Sequence, residues 1–187
     1  MLKLYYVTGG LPEVVTTYLK YKNNKFEALE KVRQKQRDII KEYMSDFSKY
    51  ASKVDAHTIV KVFEKIPYQL AKDNKKFRYS TIEPGGRFKQ FSKPIDWLEG
   101  AGIVIKVKIV NSGEVPLDAF TDESHFKLYM FDVGILGALS ELHPNSIMLE
   151  NNLFATFKGA FCENFVAQEF VYSGGERLYS WVNNTSE

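Results

Sequence analysis

Lys127-Leu-Tyr-Met-Phe-Asp-Val-Gly-Ile-Leu-Gly-Ala-Leu139 and, after a polar break, Lys158-Gly-Ala-Phe-Cys-Glu-Asn-Phe-Val-Ala-Gln-Glu-Phe170 read as the most deeply buried part of the chain. Leu128, Met130 and Phe131 predict a short apolar strand. Asp132 falls where a helix would start, because an aspartate side chain can accept hydrogen bonds from the free amides of a first turn. Val133, Ile135, Leu136 and Leu139 then give that helix one buried face. Further on, Phe154, Phe157, Phe161, Phe165, Val166 and Phe170 recur at spacings of three to five, which predicts one long helix with an apolar side. Glu163 falls among them.

Across the whole chain, the 187 residues are 44% hydrophobic and 14% aromatic, enough for a sizeable core divided into two compact units. The single cysteine, Cys162, sits within the apolar helix pattern and reads as a small buried side chain, which leaves no disulfide framework or zinc site. There is neither a signal peptide nor an apolar run of about eighteen residues, so the expectation is a cytoplasmic protein with no membrane partner. The net charge of +2 decides little. Its distribution is more telling: between Lys72 and Lys93 seven basic residues stand against two acidic ones.

Upstream, Gly9-Gly10-Leu-Pro12 predicts a turn leading into a short helix with Pro12 and Glu13 in its first turn. The double glycine lacks the lysine and Ser/Thr of a phosphate-binding loop and reads as structural. Asn23 to Tyr50 carries a long helical pattern, with Arg33, Lys35 and Arg37 on its solvated face. Val54 to Val110 reads as a module of helices closed by a strand. Asp55 caps a helix that Pro67 ends or restarts, Phe77 to Ile82 has strand-like composition, and Phe88 to Leu98 forms a further helix. In Ile103 to Val110 the alternation puts Ile105, Val107 and Ile109 on one face and Lys106 and Lys108 on the other. Helices followed by such a strand suggest a winged-helix-like module. Asn111 to His125 reads as a polar linker, His143 to Ser146 as a loop, and Arg177 to Val182 as the start of a strand.

Lys127 to Leu136 together with Lys158 to Glu169 resembles the signature of the DUF4143 region, the C-terminal half of a prokaryotic P-loop ATPase family of the AAA_14 type. Val7-Thr-Gly-Gly-Leu-Pro-Glu-Val-Val15 resembles the motif that ends that family's ATPase portion, and Trp97-Leu-Glu-Gly-Ala-Gly-Ile-Val104 resembles the phrase that closes its winged-helix-like module. The resemblance implies an α+β, mostly helical fragment in three parts. Residues 1–53 would be the end of the ATPase lid and a helical connector, 54–112 the winged-helix-like module, and 122–187 the start of a truncated core like that of PD-(D/E)XK nucleases. It also implies that ATP and Mg bind a longer parent, while this fragment, without Walker motifs, holds neither. Neither end reads as a domain border.

Arg87, Lys89 and Lys93 on the predicted helix, with Arg78 and Lys76 before it, offer contacts to DNA phosphates; they equally serve as a solvated face or a protein-contact surface, and an oligomer stays open. Glu163 corresponds by resemblance to the helix acid of the nucleases, but one carboxylate is not a cation site, so a nuclease constellation would be incomplete. His57, His125 and His143 lie in separate segments without ligand spacing.

Overall fold

The computed structural model describes residues 1–50, 53–72, 76–150, 152–175 and 177–181. The chain is α+β and mostly helical. Helices α1 (Leu2–Thr8), α2 (Pro12–Tyr21), α3 (Lys25–Tyr50), α4 (Lys53–Leu70) and α5 (Phe88–Gly100) precede strands β1 (Val104–Val110) and β2 (Thr121–Met130). Then come α6 (Val133–Leu139), α7 (Pro144–Leu149), α8 (Asn152–Ala155), α9 (Lys158–Tyr172) and strand β3 (Leu178–Trp181). The three strands form one mixed sheet in the order β2-β1-β3, with β1 antiparallel to β2 and parallel to β3.

The stretch 127–139 behaves as its pattern predicts. Asp132 caps α6, its carboxylate accepting from the amide of Ile135 at 3.0 Å, and every residue of that helix before Leu139 is buried. The same carboxylate also accepts from the amide of Gly10 at 2.7 Å, tying the turn after α1 to the start of α6. Burial pushes the Asp132 carboxyl above the usual carboxylate range, against the pull of its backbone hydrogen bonds. Gly134 is required by this join. A Cβ there would come within 2.7 Å of the Gly9 nitrogen and the Thr8 carbonyl carbon, and backbone at that distance has no room to yield.

Arg33 differs from its expectation. On α3 it is only 3% exposed, where the sequence pattern puts it in solvent. Its guanidinium donates to the side-chain oxygen of Gln36 at 2.8 Å and to the carbonyl of Gly134 at 3.3 Å, while Gln36 donates in turn to the carbonyl of Val7 at 2.7 Å. The reason is geometric: α3 packs against both α1 and α6, so its polar residues meet the free carbonyls at the end of α1 and the backbone at the start of α6 rather than water. Burial lowers the Arg33 pKa to about 10, with the neighbouring Arg37 charge adding to the effect.

Several other boundaries move. Pro67 lies inside α4, which runs on to Leu70 although proline has no N–H to give the preceding turn; its carbonyl still accepts from Ala71 at 3.0 Å. Phe77 to Ile82 is no regular strand: Tyr79–Thr81 is a 3-10 turn, and Phe77 gives the sheet one hydrogen bond, from its amide to the Phe126 carbonyl at 2.8 Å. The polar linker shrinks, since residues 121–125 belong to β2 and residues 111–120 connect two strands that pair with each other. The Phe-rich helix is broken at Thr156 and Phe157 into α8 and α9. Its apolar side is not continuous either, because Phe154, Phe157 and Phe161 are buried while Val166 and Phe170 are half exposed. His143 to Ser146 begins α7, the imidazole Nδ1 accepting from the Asn145 amide at 3.2 Å. Val182, expected in the last strand, lies outside the described residues. One apolar core takes in residues from Tyr6 in α1 to Ala167 in α9.

Candidate nucleic-acid interface

The site is built on α5. Phe91, Pro94, Ile95 and Leu98 fall at helical intervals and are buried, which fixes the opposite face outward. Lys89 and Lys93, one turn apart, occupy that outward face, with Gln90 beside them and Arg87 at the extended residue preceding the helix; all four are exposed. Asp96, a turn further along the same side, is drawn back to the sheet by Lys106 at 3.1 Å. Lys106 also lies 3.8 Å from Glu99, so β1 neutralises the acidic end of α5. Among the described residues Arg87, Lys89 and Lys93 form no ion pair.

An aromatic seat holds the helix in place. Tyr79 stacks on Phe91 with ring centroids 6.2 Å apart and meets Phe88 edge-on at 6.1 Å. Phe77 stacks on Phe126 of β2 at 5.2 Å, and the Tyr79 hydroxyl donates to the Ser124 carbonyl at 3.0 Å. The start of α5 is thereby fastened to β2. Burial and the charges of Asp122 and Asp96 push the Tyr79 phenol up to about 12, so it stays a donor at ordinary pH. Where the chain turns into the helix, Gly86 leaves no room for a side chain: a Cβ would sit 2.8 Å from both the Phe91 ring and the Tyr79 carbonyl. The other two predicted basic residues are placed differently. Arg78 has its backbone gripped by Gln69 through bonds of 2.8 and 3.0 Å and its side chain exposed, whereas Lys76 is half-buried and its charge acts on Asp122. Lys75 lies outside the described residues.

Glu163 lies elsewhere, on α9. Its carboxylate accepts from the Tyr129 hydroxyl at 2.7 Å and lies 3.6 Å from the Lys127 ammonium. Burial, and then this hydrogen bond, push the Tyr129 phenol well above its ordinary value. These partners come from alternate positions of β2, and no local pattern signals them because strand and helix are more than thirty residues apart. Among the described residues no three His, Cys, Asp or Glu side chains gather in a way that would hold a metal ion. The adjacent residue is structural: Asn164 is fully buried and bridges both backbone groups of Met130 at 2.8 and 3.0 Å. Cys162 is half-buried, its sulfur 3.3 Å from the Tyr6 hydroxyl. No described helix is long and apolar enough to cross a membrane.

A family of domains of unknown function, DUF8612, matches residues 1–146, more than three quarters of the chain. The chain belongs to DUF8612. This overturns the resemblance to DUF4143 and the AAA_14-type ATPases, and with it goes the ground for expecting ATP and Mg in a longer parent. The short motifs behind that resemblance are accounted for by packing: Asp132 and Gly134 join α1 to α6, and Asn164 fastens α9 to β2. The DUF8612 match takes in all of α5 and the β1–β2 pair, and it ends before α9 and Glu163. Comparison with curated proteins and with solved structures returns no match.

Proposed function

We propose that this chain binds double-stranded nucleic acid through α5, as a winged-helix-like module. The observation that carries the reading is the outward face of α5, where Lys89 and Lys93 stand one turn apart with Arg87 at the helix start, unpaired among the described residues. Around it the order is α4, one strand-like residue at Phe77, a 3-10 turn, α5 and the β1–β2 hairpin, which is the order of elements in a winged helix. In such a module the second long helix enters a groove and its basic residues meet phosphates on either side. The hairpin loop carries Glu114 and Asp118, with Asp118 held by Lys108 at 2.7 Å and by Arg177, so it adds no positive charge of its own. Phosphate binding therefore falls to the helix.

Titrating a short fluorescent DNA duplex across a range of salt tests this. Binding should weaken steeply as salt rises, and Lys89→Ala/Lys93→Ala should flatten the logarithmic salt dependence by about 0.9 for each phosphate that is no longer neutralised. Affinity that ignores salt and both substitutions refutes the proposal.

A further inference from the structure

We propose that the groove between α3, α4 and α6 binds a small amphiphilic monoanion, a carboxylate or sulfonate carried on an apolar body. Two hollows of about 740 and about 340 Å³ share Tyr68, Leu139 and Glu141 in their walls and so form one groove. Each is within or near the size of ordinary small-molecule sites, roughly 300–1,000 Å³. The ends differ in chemistry. The larger hollow carries Arg37 and Lys41, one turn apart on α3, and Lys65 of α4. The smaller is walled by Pro67, Ala71, Leu142 and Phe157.

Between them Tyr68 is 58% exposed, with the Lys65 ammonium 4.5 Å above its ring. An exposed tyrosine holding a cation on its face makes a shelf that is apolar below and positive above. Among the described residues Arg37, Lys41 and Lys65 have no carboxylate partner in an ion pair. Glu64 and Glu141 line the same groove, so three positive charges are set against two negative ones and the excess is a single charge. That balance selects one negative charge and disfavours a polyphosphate, whose further charges would meet the two glutamates. The ligand's headgroup sits among Arg37, Lys41 and Lys65, and its apolar body passes over Tyr68 toward Leu139 and Phe157. This site is separate from α5, and neither proposal depends on the other.

The test is fluorescence titration of the full chain with 8-anilinonaphthalene-1-sulfonate, an aromatic monoanion, followed by displacement with decanoate. Saturable binding at one site is expected, displaced by decanoate and not by decyltrimethylammonium, which has the same tail and the opposite charge. Arg37→Gln/Lys41→Gln, changing two exposed side chains, should weaken the affinity roughly tenfold or more, the loss expected for charge-assisted hydrogen bonds. Tyr68→Ala should weaken it independently, and thermal melting of each variant verifies that the fold is kept. Absence of saturable binding, equal displacement by the cationic amphiphile, tighter binding of inorganic triphosphate, or indifference to Arg37→Gln/Lys41→Gln in a folded variant each overturns the proposal.

Discussion

Arg33 and Arg87 look alike in the sequence, each an arginine in or beside an amphipathic helix, yet the fold uses them in opposite ways. Arg33 is enclosed where α3 crosses α1 and α6, its guanidinium donating to Gln36 and Gly134. Arg87 is exposed at the start of α5 with no ion pair among the described residues. The first region is a buried join in which only Nη1 of Arg33 is hydrogen-bonded while Nε and Nη2 find no partner, and a buried donor without a partner costs about 1–3 kcal/mol. The second is a surface whose polar groups are held ready at little cost to the fold. Stability should therefore reside in the first and the proposed nucleic-acid binding in the second.

The most severe challenge to that contrast is at Gly134. Adding a methyl group there forces the Thr8–Gly9 peptide away from α6, and Gly134→Ala should cost about 3 kcal/mol or more, read as the midpoint of urea denaturation. Arg33→Ala comes next. It opens a cavity and strands the Gln36 side-chain oxygen, for a loss of about 2–4 kcal/mol, whereas Arg87→Ala should change stability by no more than about 0.5 kcal/mol. Equal losses at the two arginines would erase the distinction.

Asp132 extends the contrast to pH. Its carboxyl is raised in the folded protein, so the ionised form is disfavoured there relative to the unfolded chain. The associated stability is complete below the unfolded pKa and declines as pH rises through the folded value. Denaturation midpoints of the native chain should fall over that interval relative to those of Asp132→Asn, which has no proton to lose. The smallest effect belongs to the surface. Hydrogen bonds from Lys158 and Lys3 hold the exposed Glu150 carboxyl below the usual glutamate range. Its stabilisation is present above the ordinary glutamate pKa and lost as pH falls through the depressed folded value. Glu150→Gln should shift melting only slightly, and added salt should remove the difference.

Which parts of this were legible beforehand follows from the range of the forces involved. The capped start of α6 was readable because an aspartate ahead of an apolar run makes its hydrogen bond locally, to Ile135. The buried face of α5 was readable for the same reason, since Phe91, Ile95 and Leu98 declare it by spacing alone. Arg33 was not, because its surroundings are supplied by Gly134, 101 residues away. Nor was the pairing of β1 with β2: their connection is polar enough to pass for a linker, and the hydrogen bonds that make it a hairpin join backbone to backbone without regard to side chain. For the candidate sites, Lys89 and Lys93 announced themselves as neighbours on one helix. The groove beside Tyr68 did not, because α3 and α4 supply one side of it while α6 and Phe157 come from the far half of the chain.

The N-terminal helix α1 finds partners that come very late in sequence. Gly10 meets Asp132 across 122 residues, Tyr6 meets Cys162 across 156, and Tyr5 receives a hydrogen bond from Gln168 across 163. On the ribosome α1 is thus made long before the segments that house it. Tyr6 and Val7, whose side chains end up out of water, must wait in the open until α6 and α9 have emerged. Over that interval the nascent chain carries an exposed apolar segment, and that is when a chaperone would find it.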